Sequence, residues 1–216
     1  MHNTIKNLIN IEEQIKAGSN PNKLPKIIAV SKTFKIDKIL PLLEHGHKDF
    51  GENKVQEAME KWIKIKETNK NIQLHLIGKL QSNKVKYAVK LFDYIHSVDS
   101  EKLAKKISEE QFKQNKSIKI FIQVNIGAED QKSGINKNKI ESLVNFCRNL
   151  QLDVIGLMCI PPFDIDPEMY FREMSNLNKK YNLNELSMGM SSDYLKAIKN
   201  NATFLRIGSN IFGQRS

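Results

Sequence analysis

The amino-acid sequence predicts a single (β/α)8 TIM barrel with an extra helix at its N-terminus. Eight short apolar segments recur along the 216 residues, and amphipathic helical patterns separate them. This alternation is typical of a parallel sheet with helical crossovers, and eight such units close into a barrel. The segments are nearly continuous apolar runs, as expected for strands that are buried on both faces.

The eight predicted strands follow a leading helix. In chain order they span residues 26–31, 48–52, 72–78, 93–98, 118–125, 153–158, 185–189 and 203–208. The leading helix is predicted over residues 4–17, and residues 19–25 connect it to the first strand. No linker or low-complexity tract divides the chain, so one domain over residues 1–216 is predicted.

The helices between the strands are predicted from apolar residues spaced i, i+3, i+4 and i+7. One of these helices contains Pro41, and proline is tolerated in the first turn of a helix. We therefore expect that helix to begin late. The apolar positions are Ile36, Ile39, Leu40 and Leu43; Val85, Val89 and Phe92; Ile140, Leu143, Val144 and Cys147; and Tyr170, Met174, Leu177 and Tyr181.

An open, doubly wound sheet is the structural alternative, because it uses the same alternation of strands and helices. Such a sheet usually has about five or six strands, fewer than this sequence predicts. The sequence also lacks a GxGxxG motif after the first strand. Both observations favour the closed barrel.

Composition excludes several classes of protein. No apolar run approaches the roughly 20 residues that a membrane-spanning helix needs, so no membrane partner is predicted. The N-terminal segment lacks the uninterrupted apolar stretch of a signal peptide. Cys147 and Cys159 are too few for a disulfide framework. We therefore predict a cytoplasmic protein with reduced thiols.

The net charge of +10 does not by itself indicate a nucleic-acid partner. Only four of the 34 basic residues are arginines, and the lysines are spread along the chain among acidic residues. A specific nucleic-acid surface clusters its basic groups and favours arginine. A solvated basic exterior is therefore predicted, with no specific nucleic-acid partner and only weak attraction to polyanions.

Polar residues at the ends of the predicted strands are the candidates for a functional site, because barrel enzymes and binding proteins use this face. They are Ser31, Lys32, Glu52, Asn53, Ser97, Asn125, Ser187 and Arg206. His75 lies within a strand whose alternation points it into the barrel. No one of these residues is a strong signal alone. A lysine after a strand, in a chain with so many lysines, is more often exposed than functional.

The last two strands run into glycine- and serine-rich turns that favour a phosphate ligand. The seventh strand is followed by Gly-Met-Ser-Ser-Asp over residues 189–193, and the eighth by Gly-Ser-Asn over residues 208–210. Glycine lets the backbone approach an anion, and the first turn of a helix offers N–H groups. Barrels often build phosphate sites after these two strands. Helix capping by Ser191 or Ser192 is the alternative interpretation.

Seven segments together resemble the pyridoxal phosphate homeostasis protein family, whose bacterial members share a barrel with the N-terminal domain of alanine racemase. The resemblance covers the chain in order and includes seven of the eight strand ends. It departs from the usual pattern at Leu74, at Lys79 and at Ser209-Asn210. The segments are AVSKT (29–33), FGENKVQE (50–57), HLIGKLQSNK (75–84), QVNIGAEDQKSG (123–134), GLMCIPP (156–162), LSMGMSSD (186–193) and RIGSNIFGQR (206–215).

The resemblance implies a cofactor, pyridoxal 5′-phosphate (PLP), and a role for each matching residue. Lys32 matches the lysine that forms a Schiff base with PLP, and Arg206 matches the arginine near the pyridine nitrogen. An arginine there disfavours a protonated ring and weakens the cofactor as an electron sink. The matches for phosphate contacts are Ser191, Gly208 and Ser209, and those lining the ring are Asn53, His75, Met158 and Ser187.

Some of these residues keep a plainer interpretation. His75 is nearly as well explained as a hydrogen-bonded core histidine. Lys132 is a candidate second amine for passing the cofactor on, although an exposed loop lysine is the simpler account. Cys159 is better explained by packing at a strand end than as a nucleophile. No catalytic residue and no metal ligand is predicted.

The implied function is a non-catalytic, monomeric protein that binds PLP and buffers its supply, with PLP-dependent apoenzymes as candidate recipients. Alanine racemase needs acid–base groups on both faces of its substrate, and a second domain and partner subunit supply one of them. Only residues 209–216 follow the last predicted strand, so an open cofactor face is expected. The alternatives are a weak amino-acid racemase of fold-type III and a phosphosugar enzyme without a Schiff base.

Overall fold

Eight parallel strands form a closed barrel in sequence order in the computed structural model, which describes residues 1–18, 24–129 and 131–214. The barrel closes where β8 pairs with β1, in the register Lys26↔Phe204 to Ala29↔Ile207. This closure confirms the predicted barrel and excludes the open sheet. The strands are β1 Lys26–Val30, β2 Asp49–Glu52, β3 Gln73–Leu76, β4 Tyr94–Val98, β5 Lys119–Val124, β6 Asp153–Cys159, β7 Glu185–Met190 and β8 Phe204–Ile207.

The helices surround the strands, and one precedes β1 as predicted. They are α1 Asn3–Gly18, α2 Ile36–Glu44, α3 Val55–Thr68, α4 Val85–Leu91, α5 Glu101–Gln114, α6 Ile140–Asn149, α7 Glu168–Lys180, α8 Tyr194–Lys199 and α9 Ser209–Phe212. No helix in the described part of the chain is long and apolar enough to cross a bilayer. Residues 19–23 of the predicted connection, residue 130 and residues 215–216 lie outside the described residues.

Helix α1 packs against α2, α8 and α9. It buries Leu8, Ile11 and Ile15, which recur at helical spacing and form one apolar face. The side chain of Asn7 donates a hydrogen bond to the carbonyl oxygen of Ile211 in α9, at 3.0 Å. The leading helix therefore supports the short helix that follows β8.

The expectation for Pro41 is wrong. Helix α2 begins at Ile36, so Pro41 lies in its second turn rather than its first. A proline there leaves the carbonyl group of Asp37 without its helical donor, since the ring nitrogen carries no hydrogen. The helix forms nevertheless because Ile39 and Leu42 on either side are fully buried. Burial of these two side chains outweighs the loss of one backbone hydrogen bond.

Helical spacing predicts the buried face of some helices better than that of others. In α6 the predicted positions Ile140, Leu143, Val144 and Cys147 are all buried. In α2 Leu40 is 39% exposed and Leu42 is buried in its place. The buried face of α2 therefore contains Ile39 and Leu42, three positions apart, and not Leu40.

Two layers of apolar side chains form the core. The larger layer lies between the sheet and the helices. The smaller layer fills the interior of the barrel and contains Ile28, Tyr94, Phe121, Met158 and Phe204. Tyr94 and Phe204 are the first residues of β4 and β8, so their rings close the N-terminal end of the barrel. Above the ring of Tyr94 lie the ammonium groups of two lysines at strand starts, Lys26 at 5.7 Å and Lys119 at 5.4 Å.

Candidate functional site

A cavity of about 770 Å³ lies at the C-terminal ends of the strands. Its volume is within the roughly 300–1,000 Å³ that small-molecule sites occupy. The walls come from the ends of β1, β2, β3, β5, β6, β7 and β8. The cavity is therefore where a (β/α)8 barrel places its functional site.

Six of the nine predicted site residues line this cavity, and the other three lie beneath it. The six are Lys32, Asn53, Ser191, Arg206, Gly208 and Ser209. His75, Met158 and Ser187 are fully buried in the barrel and are not part of the cavity wall. The predicted contact of these three with a cofactor ring stays a prediction, and Ser187 instead contacts Arg206 from below.

The backbone on both sides of Lys32 is held by side chains of α3. The ammonium group of Lys61 donates a hydrogen bond to the carbonyl oxygen of Ser31, at 2.9 Å. The N–H of Thr33 donates to the carboxylate of Glu57, at 2.6 Å. Thr33 has a φ of 67°, a left-handed conformation that is uncommon for a β-branched residue. This turn directs Lys32 from the end of β1 into the cavity wall.

A buried carboxylate anchors the same region. One oxygen of Glu52, Oε1, accepts hydrogen bonds from Ser31 Oγ at 2.7 Å, Lys61 Nζ at 2.8 Å and Trp62 Nε1 at 2.9 Å. Glu52 and Trp62 are fully buried, and the Lys61 side chain is 9% exposed. Within the described residues, the second oxygen of Glu52 has no partner. An isolated carboxylate is costly to bury, so its bond to Lys61 is central to this anchor.

Arg206 brings a positive charge to the cavity wall although it is only 4% exposed. Its Nη1 donates to Ser187 Oγ at 2.7 Å, and its Nη2 donates to the carbonyl oxygen of Cys159 at 2.8 Å. Burial lowers the pKa of Arg206, and no carboxylate among the described residues forms an ion pair with it. A buried cation with neutral partners favours a ligand that presents an anion or a lone pair.

The turns after β7 and β8 are joined by Ser191. Its hydroxyl oxygen accepts the N–H of Gly208 at 3.3 Å and that of Asn210 at 3.4 Å. These N–H groups belong to the start of α9, so Ser191 caps α9 and not the helix that follows it in sequence. Ser191, Gly208 and Ser209 all face the cavity. A Cβ at Gly208 would meet Val30 only at an ordinary 3.5 Å, so packing of the protein does not by itself require glycine there.

Strands β2 and β3 approach closely at the cavity. A Cβ added to Gly78 would lie 2.4 Å from the carbonyl oxygen of Asn53. Both residues line the cavity. The position of Asn53 is therefore fixed by a contact that only glycine allows.

Of three further polar residues in the wall, the sequence analysis named two and missed one, Gln123. Gln123 lines the cavity and donates to the carbonyl oxygen of Ser133, at 3.1 Å. Asn125, a strand-end candidate, donates to the carbonyl oxygen of Glu129 at 2.8 Å. The alternation of polar residues in Gln-Val-Asn at the end of β5 is a signal that could have identified Gln123 as well. Lys132 also lines the cavity and forms an ion pair with Glu129 at 2.6 Å.

The acid–base groups of the cavity are few. Of the described residues in the wall, the titratable ones are Lys32, Lys79, Lys132 and Arg206, and none carries a carboxylate, imidazole, phenol or thiol. The thiol of Cys159 is buried outside the wall, and burial raises its pKa to about 12. A neutral thiol is a poor nucleophile, which supports a packing role for Cys159.

The sequence relatives identify the family. Residues 7–216 match the family described as alanine racemase, N-terminal domain. The pyridoxal phosphate homeostasis protein of Aquifex aeolicus is 38% identical over 210 residues, which cover 93% of this chain and 91% of that protein. The chain belongs to the pyridoxal phosphate homeostasis protein family. The family member from Escherichia coli K12 is 32% identical over 230 residues, covering 100% of this chain and 98% of that protein.

Solved structures of similar proteins have the same barrel. PipY of Synechococcus elongatus PCC7942, with PLP bound, is 31% identical and has a TM-score of 0.86, covering 97% of this chain and 100% of PipY. PipY without PLP has a TM-score of 0.87. Alanine racemase of Clostridium difficile 630 is 15% identical with a TM-score of 0.73. It is matched over 99% of this chain and 57% of its own length, and at this identity it shows the fold alone.

Proposed function

We propose that this chain is one PLP-binding domain that serves vitamin B6 homeostasis in the cytoplasm, holding PLP as a Schiff base on Lys32 without catalytic turnover. One observation carries the proposal. A single cavity brings together the Lys32 side chain, the buried Arg206 guanidinium and the two terminal turns. The PLP-bound structure of the related PipY supports the choice of cofactor.

The donor set of the cavity fits the parts of PLP. The Lys32 amine condenses with the aldehyde, forming a carbon–nitrogen double bond and releasing the aldehyde oxygen as water. Arg206 donates a hydrogen bond to the pyridine nitrogen, which then accepts without being protonated. The Ser191 and Ser209 hydroxyl groups donate to the phosphate, and the Gly208 N–H exchanges its 3.3 Å bond to Ser191 Oγ for a phosphate oxygen. Asn53 is placed to contact the ring substituents.

A carrier is favoured over an enzyme by what the wall offers. PLP supplies an electron sink for breaking bonds to an amine substrate. Arg206 weakens that sink because a guanidinium does not stabilise a protonated pyridine. Proton transfer on both faces of a substrate also needs two positioned acid–base groups. The described wall offers lysines and Arg206 for this purpose, and homeostasis, not catalysis, is the role in the names of the relatives.

The deciding experiment compares visible absorption spectra. Wild type incubated with PLP is expected to be yellow and to lose the visible band on borohydride treatment, because reduction removes the double bond to Lys32. Lys32→Ala is expected to lack the band. Lys79→Ala is the matched control, since Lys79 is an exposed lysine of the same wall, and it should keep the band.

Four outcomes would contradict parts of the proposal. A borohydride-sensitive band retained in Lys32→Ala would move the Schiff base to another lysine. Absence of any band in wild type would favour the phosphosugar enzyme. Conversion of L-alanine to D-alanine at a substantial rate would favour the racemase. Salt-sensitive binding of RNA would restore the nucleic-acid interpretation.

Gel filtration tests the expected monomer, and transfer of PLP to an apoenzyme tests the proposed recipients.

A further inference from the structure

A chain of four hydrogen bonds crosses the interior of the barrel, from the cavity wall to the opposite end. Arg206 Nη1 lies 2.7 Å from Ser187 Oγ, which lies 2.8 Å from His96 Nδ1. His96 Nε2 lies 3.1 Å from His75 Nδ1, and His75 Nε2 lies 3.0 Å from Asp49 Oδ1. The five residues come from β8, β7, β4, β3 and β2. Four are at least 96% buried, and Asp49 at the start of β2 is half-buried.

The direction of these hydrogen bonds is set by the two charged residues at the ends. A guanidinium only donates, so Ser187 Oγ accepts from Arg206, and a carboxylate only accepts, so His75 Nε2 donates to Asp49. With neutral imidazoles, His75 Nδ1 then accepts from His96 Nε2, which leaves His96 Nδ1 to accept the Ser187 proton. His96 carries its proton on Nε2 and donates to His75 Nδ1. His75 likewise carries its proton on Nε2 and donates to the carboxylate of Asp49. Every member thus has one assigned role, and both imidazoles are neutral.

The charges around the histidines agree with these roles. Burial lowers the pKa of His75, which faces Asp49, Asp93 and Lys26. Burial lowers the pKa of His96 well below its usual range, and the nearby His75 and Arg206 lower it further. Protonation of His75 would set its Nδ1–H against the Nε2–H of His96 at 3.1 Å, and protonation of His96 would set its Nδ1–H against the hydroxyl proton of Ser187 at 2.8 Å. Near neutral pH each of the four hydrogen bonds therefore keeps the donor and the acceptor assigned above.

We infer that Asp49, His75, His96 and Ser187 are positioning residues, which orient the Arg206 guanidinium toward the pyridine nitrogen of PLP from the closed end of the barrel. This inference rests on the proposed function. Without Asp49, the His75 proton is free to occupy Nδ1, and the chain can run in reverse. His96 would then donate to Ser187, which would receive two donors and would lose the acceptor for its own proton. The hydrogen bond from Arg206 to Ser187 would then be weakened, although no residue of the cavity wall has been replaced.

The test separates orientation from folding. Asp49→Asn keeps an oxygen that accepts from His75, whereas Asp49→Ala removes it. The ¹⁵N NMR shifts of the imidazole nitrogens in the PLP-free protein report which nitrogen carries the proton. The affinity for PLP and the position and pH dependence of its visible band report the state of Arg206. Thermal unfolding of each variant shows whether it is folded.

Wild type and Asp49→Asn are expected to show both histidines protonated on Nε2 from pH 6 to pH 8. Asp49→Ala should populate the Nδ1 form of His75, shift the visible band and weaken PLP binding about tenfold, the loss expected for one charge-assisted hydrogen bond. Ser187→Ala should shift the band in the same direction but leave both histidines protonated on Nε2, because Asp49 still holds them.

Two results separate this inference from the proposed function. A wild type that binds no PLP overturns the proposed function and the role inferred for the chain, although its histidine protons would still show whether the hydrogen bonds are assigned correctly. If wild type binds PLP and Asp49→Ala has the same histidine protonation, the same visible band and the same affinity for PLP, this inference alone is overturned. A charged imidazole at His96 at pH 7 would also overturn it.

Discussion

Replacing Lys61 with methionine tests the buried anchor behind the Lys32 turn. The substitution keeps the length of the side chain but removes the ammonium group that bonds Glu52, Glu57 and Ser31. Glu52 is fully buried, so its carboxylate would stay in the protein without a cation. Breaking a buried pair in this way costs about 3–5 kcal/mol. The bonds to Ser31 and Glu57 add at most about 1 kcal/mol each. For a chain of this size, a total loss of about 3–7 kcal/mol in the free energy of unfolding lowers Tm by roughly 6–28 °C.

The assay is chemical denaturation with a double-variant cycle. Glu52→Gln still accepts from Ser31 and Trp62, so the double variant Glu52→Gln/Lys61→Met should regain most of the lost free energy of unfolding. Lys64→Met is the control, because Lys64 is exposed on the same helix and should change stability by no more than about 0.5 kcal/mol. A loss below about 1 kcal/mol in Lys61→Met, or no recovery in the double variant, would refute the reasoning.

Two further predictions concern a close contact and the buried histidines. Gly78→Ala places a methyl group 2.4 Å from a carbonyl oxygen and should cost about 1–3 kcal/mol in denaturant unfolding. Gly18→Ala, where a Cβ meets nothing within 4 Å, should be neutral or slightly stabilising, and equal effects would contradict the geometry. Burial lowers the pKa of His47, His75 and His96 in the folded protein. In the unfolded protein these histidines have the ordinary pKa of about 6.5, so below that pH the unfolded state binds more protons than the folded state. The free energy of unfolding should therefore fall with decreasing pH from about 6.5, by up to roughly 1.4 kcal/mol per pH unit for each histidine, and a flat profile between pH 6.5 and 5.5 would argue against neutral histidines.

The fold was predictable because each strand is a separate apolar run with turn residues at its ends. All eight strands lie within two residues of their predicted limits. Helix α2 was the exception in detail. Its start follows from the left-handed turn at Thr33 and from the side chains of α3 that hold this turn, and neither is visible in local sequence. Pro41 therefore gave the wrong starting point.

The site was predictable only in part. Lys32 and Arg206, which line the cavity, were selected because they lie at the ends of predicted strands and match a family motif. The family resemblance, not residue spacing, supplied the cofactor. The series of hydrogen bonds from Arg206 to Asp49 could not be predicted. His96 and Ser187 are 91 positions apart, and His75 and Asp49 are 26 apart. Closure of the barrel brings His96 and Ser187 together, and the register of β2 with β3 brings His75 to Asp49. Local sequence shows neither contact, so two interpretations of His75 remained open.

The rings that close the lower end of the barrel also determine how a bound molecule can travel. The rings of Tyr94, Phe121 and Phe204 pack together there, with Lys26 over Phe204 and Lys119 over Tyr94, so the barrel is closed at its N-terminal end and open only at the cavity. Anything that enters at the upper rim must depart across the same rim. One ligand must therefore leave before the next can bind. A protein that receives the ligand directly has to contact the face on which the cavity opens.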